Sequence, residues 1–152
     1  VSADLYDEAI KALARAAHGA GTLLAADAVV RVDNPYCGDR IDLALTMSGA
    51  RIGALAHQTK GCLLCRAAAS LIGLHAPGAH VMRIEQAIAA LDALLAGSDP
   101  LPGAWDELAV FRPVSQYPVR HGCVRLPMQA LHRAVQAAQA RKSTRPDRPP
   151  RP

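Results

Sequence analysis

Two spacings of apolar residues divide this chain, and the boundary between them is sharp. Between Asp27 and Lys60 the apolar residues largely alternate; from Leu63 onward they recur every three or four positions. "RIDLALTM" (40–47) puts Ile41, Leu43, Leu45 and Met47 on one face and Asp42, Ala44 and Thr46 on the other, which is the period of a half-buried strand. "DAVVRVD" (27–33) and "IGALAHQTK" (52–60) read as strands on either side of it, and "SGAR" (48–51) reads as a hairpin turn. Strands joined by connections this short pair as an antiparallel meander.

Past Gly61 and Cys62, "LLCRAAASLIGL" (63–74) has helical composition and "HAPGAH" (75–80) ends it. In "VMRIEQAIAALDALLAG" (81–97), Ile84, Ile88, Leu91 and Leu95 form a helical stripe that stops at Gly97. "AWDELAVF" (104–111) is a short helix. The last helix is expected to begin near Cys123, with Leu126, Ala130, Leu131, Ala134 and Val135 along one side and Pro127 in its first turn. At the other end Ser2 is a candidate cap for a helix carrying Leu5, Ala9, Ile10, Leu13 and Ala16, which the glycines of "HGAG" (18–21) terminate. Strands first and helices after predict an α+β two-layer domain with a three-stranded antiparallel sheet and four to five helices. Only five aromatic residues are present, so Ala, Leu, Ile and Val must build the core.

The formal net charge of +4 would suggest nucleic acid if it were spread over the chain. It is not. The segment 141–152 holds five basic residues and one acid, and the remaining 140 residues carry 12 of each sign. A neutral body offers no phosphate-binding face. The domain is therefore expected to span 1–140. The proline-rich basic tail, 141–152, is expected to be disordered, with weak adhesion to acidic surfaces as its alternative role. The N-terminus is acidic early and lacks the layout of a signal peptide. No apolar run reaches the roughly 18 residues of a membrane span. A cytoplasmic, reducing setting is expected, in which the four cysteines are thiols or metal ligands.

Cys37 stands in the turn before the second strand, with Asp39 two residues on. Cys62 and Cys123 each follow a glycine where a helix is expected to start. The N–H groups and dipole of a helix N-terminus favour thiolate, the form that binds metal and attacks sulfur. Three thiolates and one carboxylate make a four-ligand set suited to tetrahedral Zn²⁺ or to iron in a small cluster. The carboxylate is the harder, weaker member and makes the guest easier to release. Such an anionic set welcomes cations, and Arg40, Lys60, Arg120 and Arg125 lie close in sequence. The plainer alternative is four buried cysteines without a shared role. The separations of 25 and 61 residues fit no zinc-finger pattern.

The flanking residues add a resemblance. "NPYCGD" before an alternating strand, "KGCLLCRAAAS" (60–70) and "YPVRHGC" (117–123) together resemble the U-type iron–sulfur cluster scaffold family: the NifU N-terminal domain, IscU and SufU. The likeness covers most of residues 5–139, and the long insertion before Cys123 is similar to the SufU branch. It implies a three-stranded antiparallel sheet with helices on one face. It also implies Cys37, Asp39, Cys62 and Cys123 as the metal or cluster ligands. Scaffold-type members carry a His immediately before the last cysteine; here Gly122 stands there. His121, one step earlier, is expected beside the ligands or facing solvent, with a ligand role as the alternative. "QYPVR" replaces the family's chaperone-docking segment, and "AAHGAG" (16–21) replaces the segment usual after the first helix. Cys65 is additional to the family set. "CLLC" could be a thioredoxin-like pair, but without a βαβ unit Cys65 is expected to be a partly buried thiol, with sulfur relay or substitute ligation as alternatives. His18, His57, His75, His80 and His132 are expected to be surface or half-buried histidines.

The resemblance implies a scaffold that takes sulfur from a SufS-like cysteine desulfurase, holds a [2Fe–2S] cluster and passes it to apo iron–sulfur proteins, with no nucleic-acid or membrane partner. The alternative is a zinc-dependent sulfurtransferase of SufU type, under which the chain is an enzyme. In it Cys123 is expected to leave the metal and accept the persulfide, its neighbouring glycine letting it swing. A structural zinc domain and a cysteine hydrolase are the remaining readings.

Overall fold

A computed structural model describes residues 7–99 and 105–144. In chain order the elements are α1 (Glu8–Ala16), β1 (Ala28–Asp33), β2 (Arg40–Ser48), β3 (Arg51–Lys60), α2 (Leu63–His75), α3 (Val81–Leu95), a run of 3₁₀ turns (Asp106–Gln116) and α4 (Pro118–Thr144). The sheet is an antiparallel meander in the order β1-β2-β3. The α+β expectation holds. Ser2 lies outside the described residues; the cap of α1 is Asp7, whose carboxylate accepts from the Ile10 N–H at 3.0 Å.

The alternation in β2 maps directly onto burial. Ile41, Leu43, Leu45 and Met47 are all buried, while Asp42, Ala44 and Thr46 are half-buried on the other face. Each large aliphatic so placed is worth about 1.5–3 kcal/mol. Helix α4 covers β1 and β2, α2 covers β3, and α1 packs on α2. Helix α3 packs on the 3₁₀ turns and on α4. Fully buried alanines at 67, 69, 87, 130, 134 and 138 keep these helices close, and Phe111 supplies the one bulky aromatic of the described core.

β3 breaks the period. Ile52 and Leu55 are three residues apart yet both buried. A bulge opposite Thr46 absorbs the extra residue, pairing Met47 with Ile52 and Leu45 with Leu55. The Thr46 hydroxyl accepts from the Ala54 N–H at 2.9 Å there. The outer edge of β3 is covered by the "HGAG" segment. His57 donates its backbone N–H to the Gly19 carbonyl, and Gly21 donates to the His57 carbonyl, both at 2.9 Å. The His57 side chain, 4% exposed, reinforces the seam through Nε2 to the His18 carbonyl (2.8 Å) and Nδ1 to Thr59 Oγ1 (2.9 Å). A methyl at Gly73 would lie 1.9 Å from the His18 carbonyl oxygen, so α2 and this segment meet backbone to backbone.

Helix α4 corrects one expectation. It begins at Pro118, five residues before Cys123, and Gly122 and Pro127 both lie in its interior. Pro118 at the first helical position explains the start, since its missing N–H has no partner there in any case. Pro127 has no N–H to offer the Cys123 carbonyl. At its far end α4 runs to Thr144, four residues beyond the boundary expected at 140, and Arg141 reaches the Asp27 carbonyl at 3.3 Å. Residues 145–152 lie outside those described.

Candidate metal centre

Three separate segments converge at one end of the sheet. The first is the loop 34–39 that joins β1 to β2. Asn34 donates its N–H to the Asp39 carbonyl (2.8 Å) and accepts from the Gly38 N–H (2.9 Å). Its side-chain Oδ1 takes the Tyr36 N–H at 3.0 Å, a local turn of the kind asparagine favours. Gly38 makes the last bend at φ +74°. The loop thus presents Cys37 outward, exposed, and turns Asp39 inward, 2% exposed.

The second segment is the junction of β3 with α2. Cys62 is the N-cap of α2 and half-buried. Its N–H donates to Asp39 Oδ1 at 3.0 Å, and its Sγ lies 3.7 Å from Asp39 Oδ2. The third is the interior of α4, where Cys123 is 1% exposed. Its Sγ lies 3.7 Å from that of Cys37.

Two glycines lie at the convergence. A methyl at Gly61 would lie 2.7 Å from Asp39 Oδ1, and one at Gly122 would lie 2.8 Å from Asn34 Nδ2. At Gly61 the methyl would also crowd Asp39 Cγ and Cβ, at 2.9 and 3.2 Å, so the residue before Cys62 must be small; at Gly122 the close contact is with the end of the Asn34 side chain alone. From the sequence both Gly-Cys pairs are expected at helix starts, with Gly122 giving Cys123 freedom to swing; the structure instead sets Cys123 and Gly122 inside α4.

The ligand-capable atoms of Cys37, Asp39 and Cys123 all lie within 4.8 Å of one another, and Cys62 adjoins this set through Asp39. A tetrahedral Zn²⁺ with Zn–S bonds of about 2.3 Å sets two sulfurs about 3.8 Å apart. The Cys37–Cys123 separation of 3.7 Å matches that edge. The Cys62–Asp39 separation is close to the shorter sulfur–oxygen edge of about 3.5 Å that the same coordination requires. Four donors, three soft and one hard, fit a thiophilic metal or a small iron–sulfur unit in their chemistry; in spacing Cys37, Asp39 and Cys123 form one group, and Cys62 adjoins it through Asp39 without sharing that mutual spacing.

Thiol acidity here does not follow from helix ends alone. Burial first, then the charge of Cys62 and bonding to Asp39, hold the Cys123 thiol well above the ordinary value of 9.0. Partial withdrawal from water, then the bond to Asp39, raise that of Cys37. Without metal these two sulfurs keep their protons, and binding must displace them. Cys65 is fully buried, and burial followed by the charges of Asp39, Cys62 and Cys37 pushes its thiol up too. His121 turns away: its Nε2 meets the Val114 carbonyl at 3.0 Å. Two of the nearby cations are also engaged, Arg40 with Asp33 at 2.6 Å and Arg125 with Asp92 at 3.0 Å. Among the described residues no helix is long and apolar enough to cross a membrane.

Comparison with known proteins agrees with this fold. A NifU-like protein (N-terminal) from Brucella abortus superposes with a TM-score of 0.82 at 26% identity, covering 90% of this chain and 96% of that one. A protein from Fervidobacterium islandicum AW-1, described as an iron–sulfur cluster assembly scaffold for the SUF system, gives a TM-score of 0.81 over 86% of this chain and 96% of its own; at 21% identity it speaks for the fold alone. A hypothetical protein of 25% identity gives 0.71 over 84% of this chain and 94% of its own. No curated protein matches the chain by sequence. The model of the NifU-like N terminal domain matches residues 5–145. With that match across nearly its whole length, the chain belongs to the NifU-like N-terminal domain family, a family of scaffolds for iron–sulfur cluster assembly.

Proposed function

We propose that this chain receives sulfur from a cysteine desulfurase and holds iron or a [2Fe–2S] cluster at Cys37, Asp39, Cys62 and Cys123 until an apo-protein takes it. The observation that carries this reading is the buried carboxylate of Asp39 set among three thiols, with two sulfurs 3.7 Å apart. A carboxylate bonds an iron–sulfur unit less firmly than a fourth thiolate would, so the set is suited to a cargo. The exposed rim formed by Tyr36 and Cys37 on the loop and Val119 at the start of α4 gives a partner access to one edge.

The sulfur acceptor is better sought at Cys37 than at Cys123. Cys123 is locked in a helix and 1% exposed, whereas Cys37 is exposed on a loop. In the transfer, Cys37 Sγ attacks the outer sulfur of the desulfurase persulfide. A new S–S bond forms on Cys37, the old one breaks, and the desulfurase sulfur leaves as a thiol with the proton that Cys37 gives up.

A second reading, the zinc-dependent sulfurtransferase, is favoured by the match of sulfur separation to a tetrahedral zinc edge. Zn²⁺ bound there would keep the thiols deprotonated, and Cys37 would be the ligand free to leave. A desulfurase of SufS type and apo iron–sulfur proteins are the partners under the first reading; the second needs only the desulfurase. Anaerobic purification followed by metal analysis and reconstitution separates them. A visible chromophore that transfers to apo-ferredoxin supports the scaffold. One tight zinc, no chromophore, and stimulation of a desulfurase supports the transferase. A colourless, zinc-free protein that stimulates no desulfurase would refute both. A purely structural zinc domain would unfold on metal removal; here a cluster of buried aliphatic residues runs through sheet and helices, with Cys123 the one proposed ligand among its buried members in the described residues, and the metal-free chain is expected to stay folded.

A further inference from the structure

Cys65 has no part in the four-residue set, yet its place in α2 is specific. Cys62 is the N-cap and Cys65 is the third helical residue after it. These are the two positions whose side chains reach toward each other in a capping box. In such a box the N-cap side chain bonds the helix, and the carboxylate three residues on takes the N-cap N–H. Neither bond is made that way here. Cys62 makes no side-chain cap hydrogen bond, and its N–H is taken by Asp39 from another segment. Both sulfurs are left without a capping duty, on the same first turn.

We propose that Cys62 and Cys65 form a redox-active dithiol that closes to a disulfide with small-molecule disulfides. Residues three apart on a helix hold their Cβ atoms about 5–6 Å apart, and a disulfide needs about 3.5–4.5 Å. The N-cap is the half of the pair able to close that gap. Its backbone is extended (φ −68°, ψ 170°), outside the helical ladder. Access is ordered in the way exchange needs: Cys62 is half-buried, and Cys65 is fully buried beneath it. The oxidant meets Cys62 first. The Cys62 thiolate attacks one sulfur of the disulfide, expelling a thiolate and leaving a mixed disulfide. Cys65 then attacks Cys62 Sγ, the second small thiolate departs with the Cys65 proton, and the internal bond is made. Two protein thiols are oxidised and one external disulfide is reduced. Resting on the metal-site reading above, closure withdraws Cys62 from that site, so the dithiol reports the redox state of the solution to it.

The sequence makes the test direct. Trypsin cuts after Lys60 and Arg66, releasing Gly61–Arg66 with both cysteines on one peptide. Metal-free, reduced, full-length protein is treated with oxidised glutathione, quenched in acid, alkylated, digested and weighed. The expected product is Gly61–Arg66 lighter by two hydrogens, unalkylated, and restored by dithiothreitol. Cys65→Ser or Cys65→Ala should instead accumulate glutathione on Cys62. The proposal is overturned if the wild-type peptide keeps two alkylatable thiols, holds glutathione as the Cys65 variants do, or is cross-linked through Cys62 to Cys37 or Cys123. Loading with Zn²⁺ beforehand should slow closure roughly tenfold or more, by occupying Cys62. Closure at equal rates with and without Zn²⁺ leaves the dithiol standing and removes Cys62 from the ligand set.

Discussion

Asp39 serves the fold as well as the site, and the two roles can be separated by choice of substitution. Its Oδ1 takes the Cys62 N–H at 3.0 Å, and the residue is 2% exposed. A backbone hydrogen bond to a charged acceptor is worth about 1.5–3 kcal/mol net. Asp39→Ala removes the acceptor and leaves a donor at the start of α2 unpaired. In a domain of this size each kcal/mol moves the midpoint by about 2–4 °C, so a fall of about 3–12 °C is expected. Asp39→Asn keeps an oxygen for the Cys62 N–H and removes only the charge, so it should retain most of that stability. Thermal unfolding of the metal-free proteins under reducing conditions reads this limb. Reconstitution reads the other: with the carboxylate gone, Asp39→Ala should hold its cluster longer and pass it to apo-ferredoxin more slowly. Equal midpoints for wild type and Asp39→Ala would refute the structural role. So would Asp39→Asn falling as far as Asp39→Ala. An unchanged transfer rate would refute the carboxylate's part in release.

Other consequences are equally concrete. Gly61→Ala should push Asp39 off its position, because the added methyl would meet Oδ1 at 2.7 Å and Cγ at 2.9 Å. Zinc affinity measured by competition with a chromophoric chelator should fall while the far-UV spectrum stays native; undiminished affinity would show that the contact does not position the carboxylate. Burial lowers the pKa of His57 below the ordinary 6.5, only partly opposed by its bond to the His18 carbonyl. Its neutral form therefore contributes stability that is complete above about pH 6.5 and is lost as pH falls through the lowered folded value. Urea midpoints should decline over that acid range in the wild type and less steeply in His57→Gln; parallel profiles would rule out His57 as the cause. In the metal-free protein a neutral maleimide should label Cys37 before Cys123, since the first is exposed and the second 1% exposed. Labelling in the reverse order would contradict the choice of Cys37 as the sulfur acceptor.

The sheet was legible because its physics is local. Ile41, Leu43, Leu45 and Met47 alternate in the chain and are buried together in the fold, and a two-residue period allows no other face. The bulge at Ile52–Leu55 was not legible, because it arises only when two apolar residues of β3 must both meet the core opposite Thr46. The start of α4 was misread for a related reason. Gly122 and Pro127 look like punctuation in isolation, yet a helix packed on β1, β2 and α2 tolerates both, and tertiary burial overrides the local penalty. The convergence of residues 37, 39, 62 and 123 lay beyond spacing rules altogether, since the segments meet only through sheet and helix packing. The resemblance in the flanking residues was what pointed to it.

The two Gly-Cys pairs show how packing and chemistry share the same residues. Had the glycines been hinges, the site would be a loose collection drawn together by its guest. Instead Gly61 faces Asp39 at a distance that admits no side chain, and Gly122 faces the end of the Asn34 side chain. The loop 34–39 is wedged between the start of α2 and the body of α4, and Asp39 is bonded to the Cys62 N–H. The sulfurs of Cys37 and Cys123 already stand at a tetrahedral edge. The packing of this loop on α2 and α4, with the missing side chain at Gly61, therefore supplies part of the ordering that a metal site usually imposes on a chain. A guest that need not organise its own site gains less by staying in it. Ease of release then follows from preorganisation together with the weak carboxylate, and a substitution that loosens the loop should cost affinity without improving delivery.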